Sequence, residues 1–179
     1  MKKAFLRWSI NIGLLTLLSS CSFGSISLSS GTLNGRYNNE QVALSGNGKW
    51  LALVSDRSGT PRLMLYNLSE QRFVEIPFIN TDEAVAESPS LSLSGRYLVY
   101  ITSLDGKPEI LLYDRLTQRQ EILTQGYRSW VRRPRISPDG RYIVFETSRR
   151  GHWNIEVLDR GPYIELDIPD GSRANTPNR

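Results

Sequence analysis

Three stretches of the sequence align with one another, and this repetition restricts the fold more than any other feature. The stretches begin at Ala43, Ser90 and Arg135, and they share three columns of residues at the same offsets, 47 and then 45 positions. Repeats of this length indicate one supersecondary unit per repeat, each stacked on its neighbours. The columns are Gly48, Gly95 and Gly140; Gly59, Gly106 and Gly151; and Asn67, Asp114 and Asp159.

Each repeat predicts four antiparallel strands. A short first strand ends at a Ser before a tight turn that holds the first Gly, because such turns need a positive φ that Gly tolerates. The second strand, at 50–55, 97–102 and 142–147, is apolar almost without alternation. A third strand follows the second Gly, and an outer fourth strand is expected at "RFVEI", "QEIL" and "YIELDI".

The apolar second strands predict how the repeats associate. A strand that is apolar on both faces has to be covered on both faces, and one repeat cannot cover its own. The repeats are therefore expected to stack face to face, as the blades of a β-propeller do. We predict an all-β chain of about three four-stranded antiparallel blades, forming an incomplete or open arc of a propeller.

The third repeat carries a family resemblance. Its string "SPDGRYIVFETSRRGHWNIEVLD", from Ser137, resembles the repeat of the TolB-type propeller, a WD40-like family of bacterial periplasmic proteins. The first two repeats depart from it, since Gly46-Asn47 and Leu93-Ser94 replace Pro-Asp. The resemblance places repeats at about 41–77, 88–123 and 133–168 and implies a protein-binding platform. The same repeat occurs in propellers of prolyl-oligopeptidase-like enzymes, so the fold alone does not determine the function.

The first twenty residues predict an export signal. Lys2, Lys3 and Arg7 precede an apolar run at 8–18 that is too short to span a bilayer. A buried N-terminal helix is the alternative, although no amphipathic face is visible. Removing residues 1–20 takes three positive charges from the formal +4 and leaves +1. This balance argues against a dedicated polyanion binder. Because the protein is predicted to be exported, we expect no nucleic acid among its partners.

The only cysteine, Cys21, directly follows Leu18-Ser19-Ser20. This arrangement resembles the bacterial lipoprotein signal, in which the Cys becomes the first mature residue and carries lipid that anchors it to a membrane. The alternative is a free or disulfide-paired thiol, but a lone Cys forms no internal disulfide. Ser22, rather than Asp, stands next, and by analogy with enteric sorting this favours the outer membrane.

Composition divides the rest of the chain. The Ser- and Gly-rich residues 21–35 are expected to form a flexible tether. Residues 36–169 are expected to form the propeller domain. Residues 170–179 have no apolar periodicity and are expected to be disordered.

Three repeats leave blades missing, because closed propellers usually have four to eight. The chain could remain an open arc, two copies could complete a ring as a homodimer, or a partner could supply the rest. Glu146 stands where the second repeat has Ile101, and Glu156 where it has Leu111. An unpaired buried carboxylate is costly, so we expect both to face water or a basic partner. The third repeat then resembles a terminal cap with a polar outer face.

No constellation in the sequence predicts catalysis. His152 is the only histidine, which is too little for a metal site or an acid–base dyad. Ser45, Ser92 and Ser137 recur without a recurring base, so they are expected to hydrogen-bond the turns. The Asn67 column is expected to form turns as well. We predict no enzymatic activity, no metal and no cofactor.

The segment 125–136, "QGYRSWVRRPRI", is the candidate partner-binding site. Arg combined with Tyr or Trp is the composition of interaction hot spots. The alternatives are binding of lipid or polysaccharide phosphates and a solvated loop whose Trp packs on the blade below. An acidic loop with Asp82, Glu83 and Glu87 is its counterpart and is expected to attract it. The candidate residues are Tyr127, Arg128, Trp130, Arg132, Arg133 and Arg135.

These features together predict a lipid-anchored periplasmic protein that serves as a non-catalytic binding module for an envelope protein. A different function is a propeller that gates or regulates a separately encoded prolyl-oligopeptidase-like hydrolase. A third interpretation is a degenerate propeller fragment without activity.

Overall fold

The computed structural model describes residues 32–81, 85–104 and 106–169, and over these residues the chain forms eleven β-strands and no helix. The predicted export signal, Cys21, the tether as far as residue 31 and the tail 170–179 lie outside the described residues. Within the described ranges, no helix has the length and apolar character needed to cross a bilayer.

The strands pair in three antiparallel sheets that follow one another along the chain, one per repeat. The first sheet contains β1 (Asn39–Leu44), β2 (Trp50–Ser55), β3 (Arg62–Asn67) and β4 (Arg72–Val74). The second contains β5 (Glu87–Leu91), β6 (Tyr97–Leu104), β7 (Lys107–Asp114) and β8 (Arg119–Ile122). The third contains β9 (Val131–Ile136), β10 (Tyr142–Thr147) and β11 (Asn154–Asp159). The predicted all-β arc of three consecutive blades is confirmed.

The turn between the first two strands of each blade depends on the repeated Ser and Gly. Each Ser hydroxyl accepts a hydrogen bond from the first amide of the following strand, at 2.9–3.0 Å: Ser45 from Trp50, Ser92 from Tyr97 and Ser137 from Tyr142. The glycines of these turns have φ between 70° and 81°, a range that side chains disfavour. The serines therefore hold turns, as predicted.

The middle blade is buried on both faces because β6 serves two neighbours. Leu98 and Tyr100 pack in a core shared with the first blade, whereas Val99 and Ile101 pack in a core shared with the third. These four side chains are at most 3% exposed. Full burial of one such side chain stabilises the fold by about 1.5–3 kcal/mol. The two cores therefore hold the arc together.

One set of five positions lies on the same face of every blade, and we call these positions the interface columns. In the first two blades the interface columns pack against the next blade; in the third, no described blade follows. The interface columns are Trp50, Ala52, Val54, Leu63 and Leu65; Tyr97, Val99, Ile101, Ile110 and Leu112; and Tyr142, Val144, Glu146, Ile155 and Val157.

The opposite end of the arc, the outer face of the first blade, is covered. Leu53, Met64 and Phe73 are at most 6% exposed there, and Leu33 packs against them. The guanidinium carbon of Arg57 lies 3.6 Å from the centre of the Phe73 ring. The residues that precede β1 thus contribute to the apolar cluster on this outer face, although Leu33 belongs to the predicted tether.

The third blade lacks its predicted fourth strand, so the expectation for "YIELDI" is wrong. After β11 the chain passes through Gly161 and Pro162 and does not pair with β11. It crosses to the β5–β6 turn, where the carboxylate of Asp167 accepts hydrogen bonds from Ser92 and Ser94. These partners draw the segment away from the edge of its own sheet.

Substitution of Gly140 by Ala is expected to destabilise the chain more than substitution of Gly151. Both glycines have a φ near 80°, which costs a side chain about 1–2 kcal/mol. A Cβ on Gly140 would stand 2.4 Å from the Tyr97 ring, whereas nothing lies within 4 Å of one on Gly151. Overpacking of this kind adds about 1–3 kcal/mol.

Urea unfolding of Gly140→Ala and the matched control Gly151→Ala measures this difference. Equal losses of unfolding free energy would contradict the close contact between the second and third blades.

Candidate interaction surface

The loop that links β8 to β9 is anchored at both of its ends. Thr124 is fully buried, and its Oγ1 accepts a hydrogen bond from the Ile110 amide at 2.9 Å. At the other end, the Trp130 amide donates to Ser148 Oγ at 3.1 Å, and the Ser148 amide donates to the Trp130 carbonyl at 3.0 Å. The loop is therefore fixed beside the β10–β11 hairpin of the third blade.

An open groove of about 590 Å³ lies between this loop and the hairpin, and we call it the basic groove. A second groove of about 530 Å³ shares Arg149 with it and continues towards Ile155. Arginine and tryptophan border an open surface here, which is a composition suited to anionic or aromatic partner groups. The side chains that line the basic groove are Gln125, Tyr127, Arg128, Ser129, Trp130, Ser148 and Arg149.

Tyr127 lines the basic groove and is partly buried. Its ring packs edge-on against Phe145, with centroids 6.0 Å apart, and its hydroxyl donates to Glu156 Oε1 at 2.7 Å. Burial and this carboxylate raise the pKa of the Tyr127 hydroxyl. Arg149 Nη1 lies 3.6 Å from the same carboxylate oxygen. Tyr127 is therefore held in one position by the blade beneath it.

A bulge in β9 directs two arginines to one carboxylate. Arg133 has a φ of 53°, and Gln41 and Ser88 have positive φ at the same point of β1 and β5. Such bulges re-aim side chains. Arg132 Nε donates to Glu146 Oε2 at 2.6 Å, and Arg133 Nη1 donates to Glu146 Oε1 at 3.2 Å. These two hydrogen bonds hold the pKa of the Glu146 carboxyl below its usual value.

The six predicted residues fall into two groups. Tyr127, Arg128 and Trp130 line the basic groove, while the arginines from β9 lie along the inner strand of the third blade, two of them on Glu146. Trp130 is 59% exposed, so it does not pack beneath the loop as one alternative proposed. The remaining arginine of the six residues, Arg135, is exposed and donates to the Pro134 carbonyl.

Two residues that the sequence reasoning missed belong to the same surface. Arg149 borders both grooves, and Trp153 is stacked under the Arg132 guanidinium, 3.8 Å from ring centre to carbon. Both come from the hairpin string "SRRGHW". Arg149 aligns with Arg57 of the first repeat, whereas Trp153 stands where the other repeats have Pro61 and Pro108. The replacement of Pro by Trp was therefore a signal in the sequence for Trp153 alone.

The outer face of the third blade, which we call the open face, is mainly apolar. The interface columns Val144, Ile155 and Val157 are 36%, 67% and 60% exposed. Glu146 lies among them, so the expected polar cap is found at that position alone. Glu156 lies on the opposite face, because the β10–β11 pairing places it beside Phe145. Its carboxylate accepts a hydrogen bond from the Tyr127 hydroxyl.

The acidic counterpart loop is only partly visible. Glu87 begins β5 and is exposed, whereas Asp82 and Glu83 lie outside the described residues. The attraction between the two loops stays a prediction.

At this surface the described residues offer hydrogen-bonding groups, charged groups and apolar contact. No group of three or more His, Cys, Asp and Glu side chains is close enough to hold a metal ion in the part of the chain that the structure describes. His152 is exposed at the β10–β11 turn. This arrangement can bind a partner through shape and charge.

Comparison with known proteins supports the β-propeller fold. No protein-family model matches the sequence, and no curated protein matches it either. The structure is similar to TolB from Acinetobacter baumannii, with 27% identity and a TM-score of 0.57 over 71% of this chain and 31% of that one. A protein assigned as TolB from Agrobacterium tumefaciens matches with 18% identity and a TM-score of 0.55, over 76% of this chain and 50% of that one.

A prolyl endopeptidase also shares the fold, with 14% identity and a TM-score of 0.51 over 73% of this chain and 22% of that one. The chain is thus a β-propeller module whose three blades form an open arc. Its fold is of the TolB type, and it spans half or less of the TolB structures that it resembles.

Proposed function

We propose that the chain is a lipid-anchored cell-envelope protein that serves as a non-catalytic, protein-binding propeller module similar to TolB. The observation that supports this proposal is the open face of the third blade. Four of its five interface columns are apolar, and Val144, Ile155 and Val157 are exposed. Exposed apolar patches of this kind mark interaction sites.

The equivalent residues of the middle blade support this use of the open face. There, Val99, Ile110 and Leu112 are at most 2% exposed, because the third blade covers them. The open face presents Val144, Ile155 and Val157 at the same positions. A partner that packs an apolar sheet against this face would bury them as the next blade buries theirs.

The edge of the third blade adds a second means of attachment. β11 pairs with β10 alone among the described strands, so half of its backbone groups point away from the sheet. An unpaired edge is a template for strand addition by another chain. The proposed partner therefore contributes a strand or a sheet to the third blade, and the basic groove at the end of the same blade adds charged contacts.

Anchoring in the envelope rests on the N-terminal sequence. The basic residues, the apolar run and Cys21 are arranged as in a lipoprotein signal. The TolB-type fold is consistent with a periplasmic protein. We propose that lipid on Cys21 holds the module at a membrane, with the outer membrane favoured.

Closure of a ring by a second copy is a less favoured way to cover the open face. It would place the third blade of one copy against the first blade of the other. The outer face of that first blade already packs on Leu33, with Arg57 stacked on Phe73. A different envelope protein meets no such obstacle.

Substitution of Val157 by Glu is expected to weaken partner capture about tenfold or more, since it places a charge in the buried centre of the interface. The matched control is Leu116→Glu, because Leu116 is similarly exposed, at 70% against 60%, but lies in the β7–β8 turn. Crosslinking in whole cells, followed by identification of the captured protein, measures the effect.

Capture that is equal for the wild-type chain and Val157→Glu would contradict the open face as the binding surface. A captured hydrolase would favour the regulatory function instead, and a captured second copy would favour the ring.

Substitution of Cys21 by Ala is expected to abolish incorporation of labelled palmitate and to release the protein from the membrane fraction, because the acyl chains supply the anchor. Metabolic labelling followed by fractionation measures both. Undiminished labelling of Cys21→Ala would contradict lipid attachment at this residue.

A further inference from the structure

The β5–β6 turn of the second blade, which we call the second turn, differs chemically from its two counterparts. In the first blade, Asn47 Oδ1 accepts from Ser45 Oγ at 2.8 Å and from the Lys49 amide at 3.0 Å. In the third blade, Asp139 Oδ1 accepts from Ser137 Oγ at 2.5 Å and from the Arg141 amide at 3.0 Å. Each of these turns thus contains its own acceptor.

The second turn has no such acceptor, since Ser94 stands where the other repeats have Asn47 and Asp139. Asp167 supplies it from 73 residues away. Its Oδ2 accepts from Ser92 Oγ at 2.5 Å and from the Ser94 amide at 2.7 Å, and its Oδ1 accepts from Ser94 Oγ. Asp167 is only 5% exposed, so the second turn encloses the carboxylate of a residue that lies outside the turn.

A second acidic residue of the same segment is recognised beside it. Arg96 Nη2 donates to Glu165 Oε2 at 2.9 Å, and the Tyr97 hydroxyl donates to the Glu165 carbonyl. The Asp167 amide donates to the Asp139 carbonyl at 2.8 Å. Both acidic side chains and two backbone groups of one extended segment are therefore bound by the second and third turns.

We propose that the second turn is a binding site for an extended acidic peptide of the form Glu-x-Asp, and that residues 165–167 are its resident internal ligand. The Asp carboxylate occupies the cradle formed by Ser92 and Ser94, and the Glu carboxylate pairs with Arg96. A partner with the same motif binds by displacing the internal segment.

The chemistry of the cradle selects for this class of ligand. Two hydroxyl donors and one amide donor converge on one carboxylate, which is a charge-assisted arrangement. The Arg96 guanidinium is held in position to pair with the Glu carboxylate, because its Nε and Nη2 also donate to Asp114 at 3.2 and 3.0 Å. The site lies at the opposite ends of the strands from the basic groove, so it does not depend on the proposed binding surface of the third blade.

The test uses the full chain and a synthetic peptide with the sequence of residues 161–169. An internal ligand at millimolar effective concentration masks the site, so the Asp167→Ala chain is expected to bind this peptide about tenfold more tightly than the wild-type chain. A peptide carrying Asn in place of Asp167 is expected to bind at least about tenfold more weakly, because the amide retains one acceptor oxygen but loses the charge. Calorimetry, or fluorescence polarisation of a labelled peptide, measures the affinities.

The matched control is a double variant that adds Ser94→Asp to Asp167→Ala. The new carboxylate gives the second turn its own acceptor, as in the other two repeats, and repels an acidic peptide. This double variant is expected to fold and to bind no peptide. Should Asp167→Ala be too unstable to purify, Asp167→Asn, which retains one acceptor oxygen, replaces it in both chains.

The outcome is decisive in either direction. Peptide binding that appears with the Asp167 substitution and disappears when Ser94→Asp is added supports the site. Failure of the folded Asp167 variant to bind the peptide, or equal binding by the double variant, overturns the proposal.

Discussion

Contact between successive sheets is the interaction on which the rest of this structure depends. A blade with apolar residues on both faces is stable only when a neighbour covers each of them. The middle blade meets this condition, with Leu98 and Tyr100 on one side and Val99 and Ile101 on the other. The middle blade therefore supports the blades on either side of it.

The outer faces at the two ends of the arc differ in how far they are covered. The outer face of the first blade is covered by the residues before β1, among which Leu33 packs against its apolar cluster. In the third blade, Ile155 and Val157 remain exposed. This blade has no fourth strand, because the residues predicted to form it bind the second turn. This asymmetry is the basis of our proposal that a partner attaches at one end of the arc, in preference to closure of a ring by a second copy.

Most of the fold was predictable because its determinants are local. The Gly columns mark turns that need positive φ, and the apolar second strands require cover on both faces. The recurring Ser and Asx residues act within a few positions of themselves, as Ser45 and Asn47 do. Features of this kind are legible in one sequence without any knowledge of distant contacts.

The remaining features depend on contacts that no local pattern encodes. The predicted fourth strand of the third blade does not form, and its residue Asp167 instead contacts Ser92, 75 positions away. The orientations of Glu146 and Glu156 depend on the β10–β11 register, which places them on opposite faces. Of the candidate site, the groove residues Tyr127 and Trp130 were identified from composition. Arg149 was missed because the hairpin of the third repeat was interpreted only as a turn.

Amide hydrogen exchange on the isolated chain tests the central claim most directly. If stacking between sheets determines stability, the amides of β6, paired on both edges and covered on both faces, exchange most slowly. The amides of β11 that point away from β10 then exchange much faster than those of β6. Protection of β11 equal to that of β6 in the absence of a partner would contradict the account.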